Sequence, residues 1–133
     1  MGNYKEAFQY SMGIEGGEFN FDSSDTGSFT HDGRKLGSKW GMTADDLEKA
    51  LGKVCTKEDM QNCTIEIPMA FYKPKYWDTI RGDEINKQYF CNKLFESGLN
   101  GGVTTAIKVL QESAGLPQSG KIDDLTLNAL NYD

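Results

Sequence analysis

The sequence predicts a mainly α domain with a small β-hairpin region near residues 18–42, organised as one domain over residues 1–133. Three observations carry this. Apolar residues recur at helical spacing through most of the chain. Between residues 18 and 42 that spacing gives way to aromatic–polar alternation and dense turn residues. No low-complexity linker or internal repeat interrupts the chain, whose 133 residues suit one domain of roughly 100–150. With 38% hydrophobic and 26% charged residues, the composition is that of a folded protein. Surface scaling lets about two-thirds of the unfolded surface be buried, enough for a core without disulfides or metal.

Taken in order, Tyr4, Ala7, Phe8, Met12 and Ile14 fall at helical spacing and predict an amphipathic helix over 3–14. Gly16 and Gly17 end it, because glycine readily takes the left-handed conformation of a helix C-terminus. Glu18-Phe19-Asn20-Phe21-Asp22 alternates, and Ser28 to Leu36 reads as a hairpin closed by a tight Asp32-Gly33 turn. Thr43 caps a helix over 44–51, with Asp45 and Asp46 in its first turn and Gly52 ending it. Thr56 starts a further short turn. The bulky residues Ile65, Ile67, Met69, Phe71, Tyr72, Tyr76 and Trp77 form core, in a helix limited by Pro68 and Pro74. Two helices over 85–97 and 103–114 are joined by the small residues Gly98–Gly102, the second burying Val103, Ala106, Ile107, Leu110 and Ala114. A last short helix over 123–130 turns Leu125, Leu127 and Leu130 inward.

Fourteen basic against twenty acidic residues give a net charge of −6. That balance argues against a nucleic-acid partner or an anionic-membrane binder, which need a basic surplus. No apolar run reaches the ~20 residues of a membrane span, so no membrane insertion is expected. The N-terminal segment MGNYKEAFQYSMGIEGG carries acid and amphipathic spacing, unlike a signal peptide. The expectation is a chain that stays where it is made or is delivered by something other than its own leader. Cys55, Cys63 and Cys91 are an odd set, read as reduced thiols. Cys55 and Cys63 are eight apart and His31 is the only histidine, so no metal site is expected.

One arrangement points to chemistry. Glu15 ends an apolar helix, is followed by two glycines, and precedes a segment rich in Asp, Ser and Thr. Breaking a glycosidic bond requires an acid still protonated near neutral pH, and a second group that activates water or stabilises the sugar cation. Aromatic surroundings and a helix C-terminus both disfavour a charged carboxylate and so hold its proton. Asp22 and Asp25 offer the second carboxylate, and Thr30, Ser38 or Thr43 a hydroxyl that positions water. The same residues also describe a solvated helix end followed by turn aspartates.

These residues resemble glycoside hydrolase family 108. The opening, from Phe8 through Glu15-Gly16-Gly17, then Asp22-Ser23-Ser24-Asp25-Thr26-Gly27, then Gly41-Met42-Thr43, is similar to a family pattern. That pattern is a helix ending in Glu-Gly-Gly, an Asp- and Gly-rich loop, and a Gly-Ile-Thr helix start. Tyr76-Trp77-Asp78-Thr79-Ile80-Arg81-Gly82-Asp83-Glu84 is similar to its Tyr-Trp-Asp-x-Ile-x-Gly-Asp segment. Phe95-Glu96, Asn100-Gly101, Ala106 and Leu110-Gln111 follow its next stretch, and residues 98–133 resemble a peptidoglycan-binding-like helical segment. The resemblance runs from residue 8 to residue 130. Residues 28–37 look inserted relative to the family, so its active-site hydroxyl falls on Ser38 by alignment and on Thr30 by counting from Glu15. The aromatic that follows Glu-Gly-Gly falls one residue late, on Phe19.

The resemblance implies a lysozyme-like α fold and N-acetylmuramidase activity, cleaving the β-1,4 bond between N-acetylmuramic acid and N-acetylglucosamine. Glu15 is then the proton donor and Asp25 the helper carboxylate, with Asp22 behind it. Ser38 or Thr30 orients water, and Asn100, Trp77 and Phe19 contact sugar. By their own pattern, Trp77 is core or a sugar-stacking surface, and Asn100 bonds sugar amides or backbone at a helix junction. Arg81, Asp83 and Glu84 read as a structural charge network. The chemistry needs no cofactor. The implied setting is a phage endolysin or virion-associated lysin, released from the host cytoplasm to the wall or carried in a virion. Its partners are peptidoglycan glycan strands and virion proteins. Two rivals stand beside it: a non-catalytic peptidoglycan-binding or virion structural protein on the same fold, and a secretion-related protein-interaction module.

Overall fold

A computed structural model describes residues 1–12 and 17–132. The chain is mainly α, as the spacing predicts. Chain contacts define two compact units, Met1–Ser11 with Tyr72–Asp133, and Met12–Phe71.

The first unit starts with α1, Tyr4–Met12, which buries Ala7 and Phe8. Tyr4 and Phe8 join Trp77 and Phe95 in an aromatic core, with ring centroids 5.2 Å apart for Tyr4–Trp77 and 6.0 Å for Phe8–Phe95. Each such ring removes roughly 150–250 Å² from water, worth about 4–6 kcal/mol at ~25 cal/mol/Å². Burial pushes the Tyr4 hydroxyl well above its usual pKa, reinforced by Asp78. The core is closed by Gly82: a Cβ there would lie 2.4 Å from the Trp77 ring, so only glycine lets the backbone lie on the indole.

Pro68 proves harmless in α4, Glu66–Tyr72, because it sits in the first turn, where its missing N–H has no intrahelical acceptor. Pro74 then opens a π-helical turn, Lys73–Trp77, followed by 3-10 turns over Asp78–Ile80 and Gly82–Glu84. Of the bulky set assigned to core in this stretch, Tyr72 and Trp77 are fully buried, while Ile65, Ile67, Met69, Phe71 and Tyr76 are half-buried.

The expected linker at Gly98–Gly102 is helix. α5 runs Gln88–Gly101 and α6 Val103–Ser113, with Gly102 alone between them at φ 94°. Gly98 is buried, and a Cβ there would press on Val103 at 3.2 Å; it serves close packing. α6 buries Ala106, Ile107 and Gln111, while Ala114 is exposed. α7, Asp124–Asn131, is capped by Asp123, whose side chain accepts from the Thr126 N–H. It turns Thr126, Leu127 and Leu130 inward and leaves Leu125 56% exposed. The leucine pattern misplaced that face because the buried Gln111 amide needs the Thr126 hydroxyl, which it reaches at 2.9 Å.

The second unit holds α2, Ala44–Leu51, with Thr43 as N-cap and left-handed Gly52 as C-cap, as expected. α3, Lys57–Gln61, starts on a reciprocal capping box between Thr56 and Asp59. Leu36, Met42, Leu47, Met60 and the thiols Cys55 and Cys63 form its core, with Phe19 and Trp40 packed against it. All three cysteines are free and buried, and burial pushes the Cys91 thiol to about 11. Residues 20–42 pair through the bridges Asn20↔Ser38, Phe29↔Lys35 and Lys39↔Met42.

The hairpin turn is one residue longer than the Asp-Gly pattern predicts. Thr30 N donates to Arg34 O (2.8 Å) and Gly33 N to Thr30 O (3.0 Å), so the loop is His31-Asp32-Gly33 with positive φ only at Gly33. This is the three-residue loop whose last position favours glycine. Arg34 fastens it to α2 and the following loop by donating to Glu48 (2.8 Å) and to Cys55 O (3.1 Å).

Candidate active site

The expected proton donor, Glu15, lies outside the described residues. The residues assigned beside it in the second unit are described. Asn20 and Ser38 form a hydrogen-bonded antiparallel pair, each N–H donating to the other's carbonyl at 2.8 and 2.7 Å. Paired residues in such a ladder point their side chains to the same face. Both side chains converge on Asp25: Ser38 Oγ donates to Oδ2 at 3.2 Å and Asn20 Nδ2 to the same oxygen at 3.3 Å. The other oxygen, Oδ1, accepts from Gly27 N at 2.9 Å. The half-buried carboxylate is thus held by three donors from three chain positions.

Gly37 makes the approach possible. Its φ is +85°, and a Cβ there would lie 2.7 Å from both Asn20 O and the Phe19 ring. Any side chain would part the Asn20–Ser38 pair.

The two candidate hydroxyls have different partners. Thr30 is buried, donates to the Asp32 carboxylate and accepts from Arg34 N at 3.0 Å. Its hydroxyl is committed to the hairpin turn, and it is Ser38 that meets Asp25. Asp22 is not brought to this cluster. Its Oδ1 accepts from Ser24 N at 2.9 Å, an Asx-type turn, and those Ser24 hydrogen bonds hold its carboxyl below the usual range.

The sugar-contact assignments divide. Trp77 is 0% exposed and its Nε1 donates to Asp83 at 2.9 Å, which leaves no ring face for a ligand; this residue is core. Asp83 is thereby drawn out of the expected charge network, which Arg81 instead makes with Glu84 and Asp124. Asn100 is exposed at the end of α5 in the first unit. Phe19 is half-buried against the core of the second unit, and the more open ring is Phe21, stacked on it at 5.9 Å. Gly17 makes room for Trp40, whose ring lies 2.8 Å from where a Cβ would sit.

Sequence reasoning missed Asn20. Its signal was the alternation Phe19-Asn20-Phe21, which puts the amide on the face opposite the two rings. Among the described residues, one grouping could hold a cation: His31, Asp45 and Glu48, with ligand atoms within 4.8 Å of one another. Those atoms are already in use. Asp45 Oδ1 accepts from His31 N at 2.8 Å, and Glu48 is paired with the Arg34 guanidinium. That fixed positive charge opposes a cation.

Chemically, an ionised Asp25 fixed by Gly27, Asn20 and Ser38 can take a proton or stabilise developing positive charge. Ser38 Oγ, donating to Asp25, keeps lone pairs that can accept from a water or a sugar hydroxyl.

Residues 8–102 match the family model described as Glycosyl hydrolase 108. The fold is similar to that in the structure of Brucella abortus SagA, with a TM-score of 0.66 at 23% identity, covering 98% of this chain and 69% of that one. No curated protein matches the sequence.

Proposed function

The chain belongs to the glycosyl hydrolase 108 family, and on that premise we propose that it is a peptidoglycan hydrolase of the N-acetylmuramidase type. It cleaves the β-1,4 bond between N-acetylmuramic acid and N-acetylglucosamine. The observation that carries this is the Asp25–Ser38–Asn20 cluster, within the family-matched region and centred on a carboxylate ten residues beyond Glu15. Glu15 donates its proton to the glycosidic oxygen as the bond to the anomeric carbon breaks, and the leaving sugar departs as an alcohol. Asp25 stabilises the oxocarbenium-like sugar or takes the proton of the incoming water, which Ser38 orients. Delivery follows a phage route: the protein acts as an endolysin or a virion-carried lysin, alongside virion proteins, and reaches the wall from outside or after release from the host cytoplasm.

The test is digestion of purified peptidoglycan, followed by mass spectrometry of the muropeptides and a reducing-end assay. A muramidase releases products with reducing N-acetylmuramic acid. The Glu15→Gln variant should bind wall material and lose several orders of magnitude in rate. Wild-type protein that releases no reducing ends, or a Glu15→Gln variant that digests as wild type does, refutes the proposal.

A further inference from the structure

Phe21, on the loop that carries Asp25, centres an exposed cationic–aromatic patch that the proposed chemistry does not use. Lys35 Nζ lies 4.0 Å from the centroid of the Phe21 ring, and Lys57 Nζ lies 4.4 Å from the same centroid. Phe21 is 36% exposed. Lys35 is anchored by donating to Ser23 Oγ at 2.8 Å. Among the described residues, neither lysine has a carboxylate within 4.0 Å, whereas Arg34, Lys53, Lys73 and Arg81 all do. In a chain of net charge −6, two ammonium groups on one ring are a local exception. The ring's negative face draws each of them in; the Asp22 carboxylate feels the Lys35 charge without pairing with it, and a bound anion would offset the repulsion between the two ammonium groups.

We propose that Lys35 and Lys57, held over Phe21, bind a carboxylate of the substrate strand. This inference rests on the hydrolase reading above, because the Phe21 ring under both lysines shares the loop over residues 20–25 with Asp25. Ammonium groups recognise carboxylate as point charges, and the partly exposed Phe21 ring offers apolar contact to what carries it. In peptidoglycan that carboxylate has two sources: the lactyl group of N-acetylmuramic acid where the peptide has been removed, and the acidic residues of the peptide where it is present. The patch would let an acidic protein select the muramyl side of its substrate without a general basic surface.

Binding is measured with full-length Glu15→Gln protein, so that turnover does not intervene. The three ligands are intact peptidoglycan, amidase-treated peptidoglycan bearing free lactyl carboxylates, and neutral N-acetylglucosamine oligomers. Replacing both lysines (Lys35→Gln with Lys57→Gln) should weaken binding to a carboxylate-bearing ligand by about fivefold, the size that two partly exposed charge contacts give. Binding to the neutral oligomer should not change, and the difference should shrink as salt is raised. Loss confined to intact peptidoglycan assigns the peptide carboxylate, loss confined to amidase-treated material assigns the lactyl group, and loss on both shows that the patch takes a carboxylate from either source. Should the double variant misfold by circular dichroism, Lys57→Gln alone, at an exposed position, should still weaken binding by about twofold. Unchanged binding to both carboxylate-bearing ligands, or an equal loss on the neutral oligomer, overturns the proposal. A wild-type protein that binds but releases no reducing ends would sink the hydrolase reading and leave the patch standing.

Discussion

Replacing Asp25 by asparagine separates a structural cap from a group used in chemistry. The native carboxylate satisfies three donors, Gly27 N, Ser38 Oγ and Asn20 Nδ2. An amide in its place offers one oxygen. If that oxygen stays on Gly27 N, the new NH2 faces Asn20 Nδ2, donor against donor. Asn20 cannot turn its own oxygen round, because that atom accepts from Asp22 N at 2.9 Å. Flipping residue 25 moves the conflict to Gly27 N. One hydrogen bond at a half-buried site is therefore lost in either orientation, for a cost of about 1–2 kcal/mol. In a domain of this size that lowers the melting temperature by about 3–8 °C. The chemical loss should be far larger, about 100-fold or more, the contribution of a positioned base or charge partner. Thermal unfolding by circular dichroism gives the first number and reducing-end release from peptidoglycan at 25 °C the second. A variant that melts as stated but digests within about threefold of wild type would show that Asp25 only caps the turn.

Two further perturbations test the frame. Gln111→Leu removes an amide whose two N–H groups are shared among Ser119 Oγ, Lys121 O and Thr126 Oγ1, 2.9–3.0 Å away, and whose oxygen accepts from Gly120 N. Gln111 itself and two of those partners, Gly120 and Thr126, are buried, so a loss of about 3–5 kcal/mol is expected from urea unfolding, and a loss under about 1 kcal/mol would contradict the burial described. Acid should also unfold the hairpin-bearing unit. Hydrogen bonds from Thr30 and then Arg34 hold the Asp32 carboxyl at about 2. Because this folded value lies below the unfolded one of about 4, the stability it confers is complete above pH ~4 and is lost as pH falls through about 2. Asp32→Asn should flatten the decline in urea midpoint across that interval; an unchanged decline would assign it to other carboxylates.

What was legible in the sequence was local. Thr43 and Gly52 frame α2 through their own caps, and Thr56 and Asp123 start their helices the same way. What was not legible depended on contacts far along the chain. Thr30 and Ser38 look equivalent as hydroxyls near two aspartates. Only the register that pairs Ser38 with Asn20, eighteen positions away, brings one of them to Asp25. Gly98 and Gly101 read as a break because glycine disfavours helix interiors. In α5 the packing of Gly98 against α6 outweighs that propensity. Trp77 sits in a run whose aromatic character suits either a core or a ligand surface. It is buried because Gly82, five residues on, lets the backbone cover it.

Arg81 shows how one side chain can compel a costly backbone. It holds a left-handed φ of 52°, which few residues other than glycine take readily. From there its guanidinium grips Glu84 at 2.7 and 2.9 Å, and reaches the Ile122 carbonyl and Asp124 at 3.0 Å each. Glycine would relax the torsion and drop the grip; lysine would keep the charge without the fork. Alongside the Gln111 network, the tail beyond residue 115 is therefore moored by a residue that its own neighbourhood would reject, and a single edit at that bend would release one tie on a helix more than forty positions downstream.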